Sequence, residues 1–277
     1  MTFATVMVHA DVDPRSEQSR ERVRLAARLA ERFDAILIGV TASVLPPYPA
    51  EGFYFVTKDV VEEERHDITE THKQAEAAFR ASVGAGGAKA EWRSGIDLPE
   101  TYLVSEARSA DLVVVGRGSR GREVGRALNA GATVLRIGRP VLIVPPGVDD
   151  LKLDRVIVGW KDTREARRAL RDALPLLRKA KAVTVVEVCD DGLEGQGRRH
   201  VVDVAAYLGK HRIAVASALA TTVKGGIATD LLSVANAEGA DLLVAGAYGH
   251  SRLGEWFFGG VTRELLVASP ICCLMSS

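Results

Sequence analysis

An apolar run that ends in a glycine loop occurs twice in this chain, and that duplication limits what the chain can fold into. Near the C-terminus, Asp241 to Ala245 leads into Gly246, Gly249, Gly259 and Gly260, then Val261 and Thr262. Earlier, Asp111 to Val115 leads into Gly116, Gly118, Gly121 and Gly131, then Ala132 and Thr133. In both copies a Gly-x-x-Gly is followed by nine residues and another glycine. A strand that ends in such a loop and enters a helix can present backbone N–H groups to a phosphate. The same glycines can also serve only to let a loop pack tightly on a helix.

The duplication extends beyond the loops. Ala4 to His9 and Arg155 to Trp160 are β-branched runs, followed by Asp11 and Asp13 in one case and Lys161, Asp162 and Thr163 in the other. Apolar stripes at helical spacing come next: Val23, Ala26, Ala27 and Ala30 in the first half, and Ala166, Leu170, Ala173, Leu174 and Leu177 in the second. Thr163 reads as the N-cap of the second of these helices. Second strands are expected at Ala35–Val40 and Ala182–Val188, and third strands at Ala88–Trp92 and Ile213–Ser217. Between them the first half carries a Pro-rich loop and a charged helix over Lys58–Val83, where the second half has only Asp190–Lys210. Gly95-Ile96 and Gly226-Ile227 each lead toward a short helix. Further short helices are expected near Thr133–Ile137 and Thr262–Val267, and both halves close on a strand introduced by Pro140 or Pro270.

Apolar strands alternating with helices indicate parallel sheets covered on both faces. The sequence has 277 residues, enough for two domains, and Pro145 to Asp150 reads as a linker between domains at 1–148 and 151–277. Lys and Arg number 36 against 36 Asp and Glu, which argues against a nucleic-acid or anionic-membrane footprint. No stretch has the apolar length of a membrane span, and Met1 to Val8 reads as a strand rather than a signal peptide. Cys189, Cys272 and Cys273 have no metal spacing, and a reducing, cytoplasmic setting is expected.

With these motifs the chain resembles a tandem universal stress protein over nearly its whole length. In that family the fourth strand is followed by Gly, two residues, Gly, nine residues, Gly and Ser or Thr. Gly246, Gly249 and Gly259 fit, while Gly260 stands in the hydroxyl position. The family's first strand ends in a nucleotide-contacting Asp, which corresponds to Asp11 in the first half and to Lys161 in the second. The resemblance implies two open five-stranded parallel sheets, strand order 3-2-1-4-5, with Rossmann-like ligand binding beyond the carboxyl ends of strands one and four.

It also implies an adenine nucleotide, ATP foremost and with or without magnesium, held in the second half. The residues would be Trp160, Lys161, Asp162, Val188, Gly246, Gly249, His250, Ser251, Arg252, Gly259, Gly260, Val261 and Thr262. In the first half a weaker site would use Asp11, Gly118, Gly121, Gly131, Ala132 and Thr133, beneath a loop rich in arginine (Arg117, Arg120, Arg122, Arg126). Asp11 can equally cap the turn that follows it. The expected role is a stress sensor or regulator; a nucleotide-free adaptor and a slow hydrolase are the alternatives.

No catalytic constellation appears. Glu62, His66 and Glu70 share a helix face and could hold a metal, or form a mixed-charge solvated surface. His200 and His211 stand alone in the sequence, and Cys189 ends a strand near the expected crevice. The closing strands, Val141–Val144 and Ile271–Leu274, are apolar and would lie at sheet edges, so they are expected to pair and join the two halves as a pseudo-dimer. A homodimer of whole chains is a further expectation.

Overall fold

The computed structural model describes residues 2–46, 58–84, 89–117, 128–248 and 260–277. The first half runs β1 (Thr5–His9), α1 (Glu17–Phe33), β2 (Ile36–Ser43), α2 (Lys58–Val83), β3 (Ala90–Ile96), α3 (Pro99–Glu106), β4 (Leu112–Gly116), α4 (Ala130–Arg136) and β5 (Val141–Val144). The second repeats the plan as β6 (Arg155–Trp160), α5 (Arg164–Leu177), β7 (Ala182–Cys189), α6 (Glu194–Lys210), β8 (Val215–Thr222), α7 (Ile227–Glu238), β9 (Leu242–Gly246), α8 (Gly260–Ala268) and β10 (Cys272–Ser276).

All ten strands form one sheet, ordered β3-β2-β1-β4-β5-β10-β9-β6-β7-β8. Within each half the order is 3-2-1-4-5 and every pairing is parallel. The two halves are therefore not separate sheets. β5 and β10 pair antiparallel, Val141 with Met275, Leu142 with Leu274 and Ile143 with Cys273. Ile271 lies just outside the strand. Neither closing strand is an edge, and both are buried along their length. Side-chain contacts flank the join: Arg117 donates to the Ser269 carbonyl at 2.6 Å, and the Ser277 hydroxyl to the Val134 carbonyl at 3.0 Å.

Two apolar layers sandwich the sheet. α1, α2, α5 and α6 cover one face, with Leu25, Leu29, Phe79, Leu174 and Val201 packed on alternate strand residues such as Val6, Val8, Val156 and Val158. α3, α4, α7 and α8 cover the other, with Leu103, Val134, Ala228 and Leu265 on Met7, Val113, Ile157 and Leu243. The adjacent Cys272 and Cys273 fall on opposite faces, as period-2 strand geometry requires, and both are free thiols. At the opposite end of the strands from the glycine loops, Asp111 accepts from the N–H groups of Ala4 and Thr5, and Asp241 accepts from that of Asp154. The duplication thus extends to single hydrogen bonds.

Helix ends follow local chemistry. Ser16 and Thr163 cap α1 and α5 by accepting from Ser19 and Ala166, and Gly239 closes α7 in the left-handed region at φ 64°. The third strands run further than their apolar cores: β3 continues through Arg93, Ser94 and Gly95, so Gly95-Ile96 is strand and α3 begins at Pro99. Pairing with β2 along seven residues holds these polar positions extended. Among the described residues, no helix is long and apolar enough to cross a membrane.

Leu142 is fully buried at the join. Leu142→Ala should cost about 2–5 kcal/mol through lost burial and the cavity left behind. Urea denaturation should show this as a lowered midpoint with retained helical circular dichroism before the transition.

Candidate functional site

The strand-order reversal falls between β1 and β4 in the first half and between β6 and β9 in the second, so a crevice is expected beyond the carboxyl ends of each pair. The two places are built differently. In the first half Asp11 follows β1, and its carboxylate accepts from Arg22 at 2.7 Å and from the Ser16 hydroxyl at 2.7 Å. Its own N–H donates to Ser19 at 2.9 Å. Arg22, only 4% exposed, also donates through Nε to the His9 carbonyl at 2.7 Å. A methyl added at Gly116, the end of β4, would run into this guanidinium. Arg22 thus bridges the ends of β1 and β4 from the first turns of α1.

These contacts set the local electrostatics. Burial alone would raise the Asp11 carboxyl, but the Arg22 charge, His9 and the Ser16 hydrogen bond outweigh it and draw it down to about 2. Burial, and then the Arg22 charge, push the His9 imidazole down to about 4 against the opposing pull of Asp11. Gly131, Ala132 and Thr133 lie within the first turn of α4. The Ala132 N–H goes to the Asn129 side chain at 3.1 Å, and the Thr133 N–H and hydroxyl both go to the Asn129 carbonyl. Helix capping already uses these donors. Gly118 and Gly121, with Arg120, Arg122 and Arg126, lie outside the described residues.

In the second half the register places Val156 where Val6 stands, so Lys161 occupies the place of Asp11 and Gly246 that of Gly116. α5 begins three residues after Lys161, whereas α1 begins six after Asp11. The first turn of α5 therefore reaches the end of β9 with backbone rather than a side chain. A Cβ on Gly246 would sit 2.5 Å from the Ala166 nitrogen, so glycine is required there. Lys161 and Asp162 are exposed, and Asp162 pairs with Arg167 at 2.5 Å. Trp160 and Val188 are half-buried at the ends of β6 and β7.

The two margins of the second glycine loop are joined. The Tyr248 N–H donates to the Thr262 hydroxyl at 3.2 Å, with Tyr248 held at φ 66°. For a bulky residue that left-handed conformation is strained. Burial pushes its phenol up to about 12. Thr262 is buried, Val261 half-buried and Gly260 exposed at the start of α8, where a Cβ would meet nothing within 4 Å among the described residues. Gly249, His250, Ser251, Arg252 and Gly259 lie outside the described residues.

Beside this crevice, between α5 and α6, lies a cavity of about 450 Å³ lined by Trp160, Leu170, Val204 and Tyr207, with Asp162, Arg167, Arg171, His200 and Asp203 around them. Sequence reasoning missed this cavity, since it forms where two distant helices stand apart. It also missed Arg22, although an arginine on the apolar stripe of α1 was a readable signal. Among the described residues, no group of three or more His, Cys, Asp or Glu could hold a metal. Glu62 and Glu70 pair instead with Lys58 and Lys73. Cys189 is buried, and burial raises its thiol.

The depressed His9 and Asp11 groups act in the same direction on stability. His9 contributes stability that is complete above about pH 6.5 and is lost as pH falls toward about 4; Asp11 contributes stability that is lost as pH falls further toward about 2. His9→Asn should therefore flatten the fall in stability between these first two pH values, measured by urea melts across pH. Asp11→Ala strands a buried guanidinium and should cost about 3–5 kcal/mol at neutral pH.

Comparison with known proteins fits this architecture. A family model described as the universal stress protein family matches residues 2–145 and again residues 152–276. No curated protein gives a significant match. Among solved structures, a universal stress protein from Archaeoglobus fulgidus DSM 4304 is similar over 99% of this chain and 98% of its own, with a TM-score of 0.66 and 18% identity. A functionally unknown protein from Pseudomonas aeruginosa PAO1 is similar over 99% of this chain and 92% of its own, with a TM-score of 0.60 and 12% identity. At such identities the likeness is one of fold. The family assignment rests on the two matches, which span both halves: the chain belongs to the universal stress protein family.

Proposed function

We propose that this protein binds an adenine nucleotide, ATP foremost, in its second half and acts as a stress sensor or regulator without efficient turnover. The observation that carries this reading is the Arg22–Asp11 bridge. The carboxylate that the family resemblance assigns to the nucleotide already accepts from Arg22 and Ser16 in the first half. There the Ala132 amide is capped by the Asn129 side chain and the Thr133 amide bonds the Asn129 carbonyl. Among the described residues of the first half, these groups are therefore already engaged.

The second half offers more. Gly260 opens α8 with space in front of it, and helix-terminal N–H groups with their dipole favour an anion. Lys161 brings a cation to the end of β6 in place of the family's aspartate. An ammonium donates to phosphate oxygens but cannot accept from ribose hydroxyls. The site therefore relies on phosphate contacts more than on sugar recognition. These residues fit the phosphates of a nucleotide, whose chemistry here is binding rather than transfer.

Calorimetric titration of the purified protein with ATP tests this directly. Saturable binding with one nucleotide per chain is expected. Gly260→Asp has room to fold and places a negative charge against the phosphates; it should weaken ATP at least tenfold, roughly the effect of one charge-assisted contact. No heat at millimolar ATP would favour the nucleotide-free adaptor instead.

A further inference from the structure

Among the described residues, the cavity between α5 and α6 has no equally large counterpart between α1 and α2. There α2 packs on α1, and the fully buried Phe79 lies on the sheet at Gly39 with its ring 5.2 Å from that of Trp92. The space left beside them is about 10 Å³. α6 carries Gly197, Val201 and Val204 on its inner face, with nothing the size of Phe79 among its buried residues. The cavity is the result, and its volume of about 450 Å³ is that of a small-molecule pocket.

Its chemistry is specific. Trp160 and Tyr207 supply aromatic surface, and Leu170 and Val204 an apolar floor. Asp162 is neutralised by Arg167. His200 is backed by Glu187: its Nδ1 lies 3.2 and 3.1 Å from the two carboxylate oxygens. A carboxylate only accepts, so Nδ1 carries the hydrogen, and in the neutral tautomer that this contact selects Nε2 presents a lone pair. Nε2 has no hydrogen-bond partner among the described residues. The carboxylate behind the ring also makes Nε2 a better acceptor.

We propose that this cavity, which adjoins the glycine-loop crevice and shares Trp160 and Asp162 with its margin, is a second ligand site for an uncharged planar aromatic molecule bearing a hydroxyl group. The ring lies against Trp160 and Tyr207, and the hydroxyl donates to His200 Nε2. The lining balances Asp162 and Asp203 against Arg167 and Arg171 and so favours an uncharged ligand, while Arg171 offers a donor to an acceptor on the ligand's far edge. The site does not depend on nucleotide binding.

The test uses 2-naphthol and its methyl ether, which share a ring and differ in the hydroxyl hydrogen. Binding to the full-length protein is followed by ligand fluorescence, with and without saturating ATP. The naphthol should bind saturably, and the ether about tenfold more weakly, the factor one hydrogen bond gives. His200→Leu should remove that preference, and His200→Gln, which keeps an acceptor, should restore part of it. Tyr207→Ala, at a residue 37% exposed and so tolerant of change, should weaken both ligands. Equal affinity of naphthol and ether, or a preference that survives His200→Leu, would overturn the proposal. Displacement by ATP would place the ring in the nucleotide site and overturn it too. Loss of ATP binding in Gly260→Asp with naphthol binding intact separates the two readings.

Discussion

The antiparallel pairing of β5 with β10 is the contact on which the rest of the arrangement depends. Each half has an apolar closing strand, Val141–Val144 and Cys272–Ser276, whose hydrogen-bonding edge would otherwise face water. Pairing them satisfies both edges and extends two five-stranded layers into one sheet. Leu142 opposite Leu274 then lies within a continuous apolar surface, covered by helices from both halves. The outer strands β3 and β8 become the edges of the molecule, with polar and small residues along them.

Once joined, the halves were free to differ where they do not meet. The end of β4 is closed by a side chain, Arg22, and the end of β9 by backbone, the first turn of α5. The cause is a difference in loop length: α5 starts closer to its strand than α1 does. The helix pairs differ similarly. Phe79 fills the space beside α1, and no side chain of that size fills the space beside α5. Among the described residues, one fold carried twice is thus filled beside α1 and open beside α5.

Much of this was legible in the sequence. The β-branched runs located β1, β2, β6 and β7, and the Thr163 cap and the limits of α2 needed no tertiary information. The closing-strand partners followed from their uninterrupted apolar runs. Other features were hidden for physical reasons. Residues 93–95 of β3 carry no hydrophobic period, because an edge strand is held by hydrogen bonds to one neighbour. The Glu187–His200 pair joins a strand to a helix, and no local spacing announces it. Arg22 lies among five arginines of α1 (Arg20, Arg22, Arg24, Arg28, Arg32), and only its place on the stripe with Leu25, Ala26 and Leu29 sets it apart.

The antiparallel join also determines where the two crevices look. Strands within a half run the same way, but the halves run opposite ways across β5 and β10. The carboxyl ends of β1 and β4 therefore emerge at one rim of the sheet, and those of β6 and β9 at the other. Four strand spacings, roughly 19 Å, separate them sideways as well. No single small ligand can span both. Any influence of one rim on the other has to cross the join, through the three facing residue pairs of β5 and β10 and the side-chain and helix contacts that flank them.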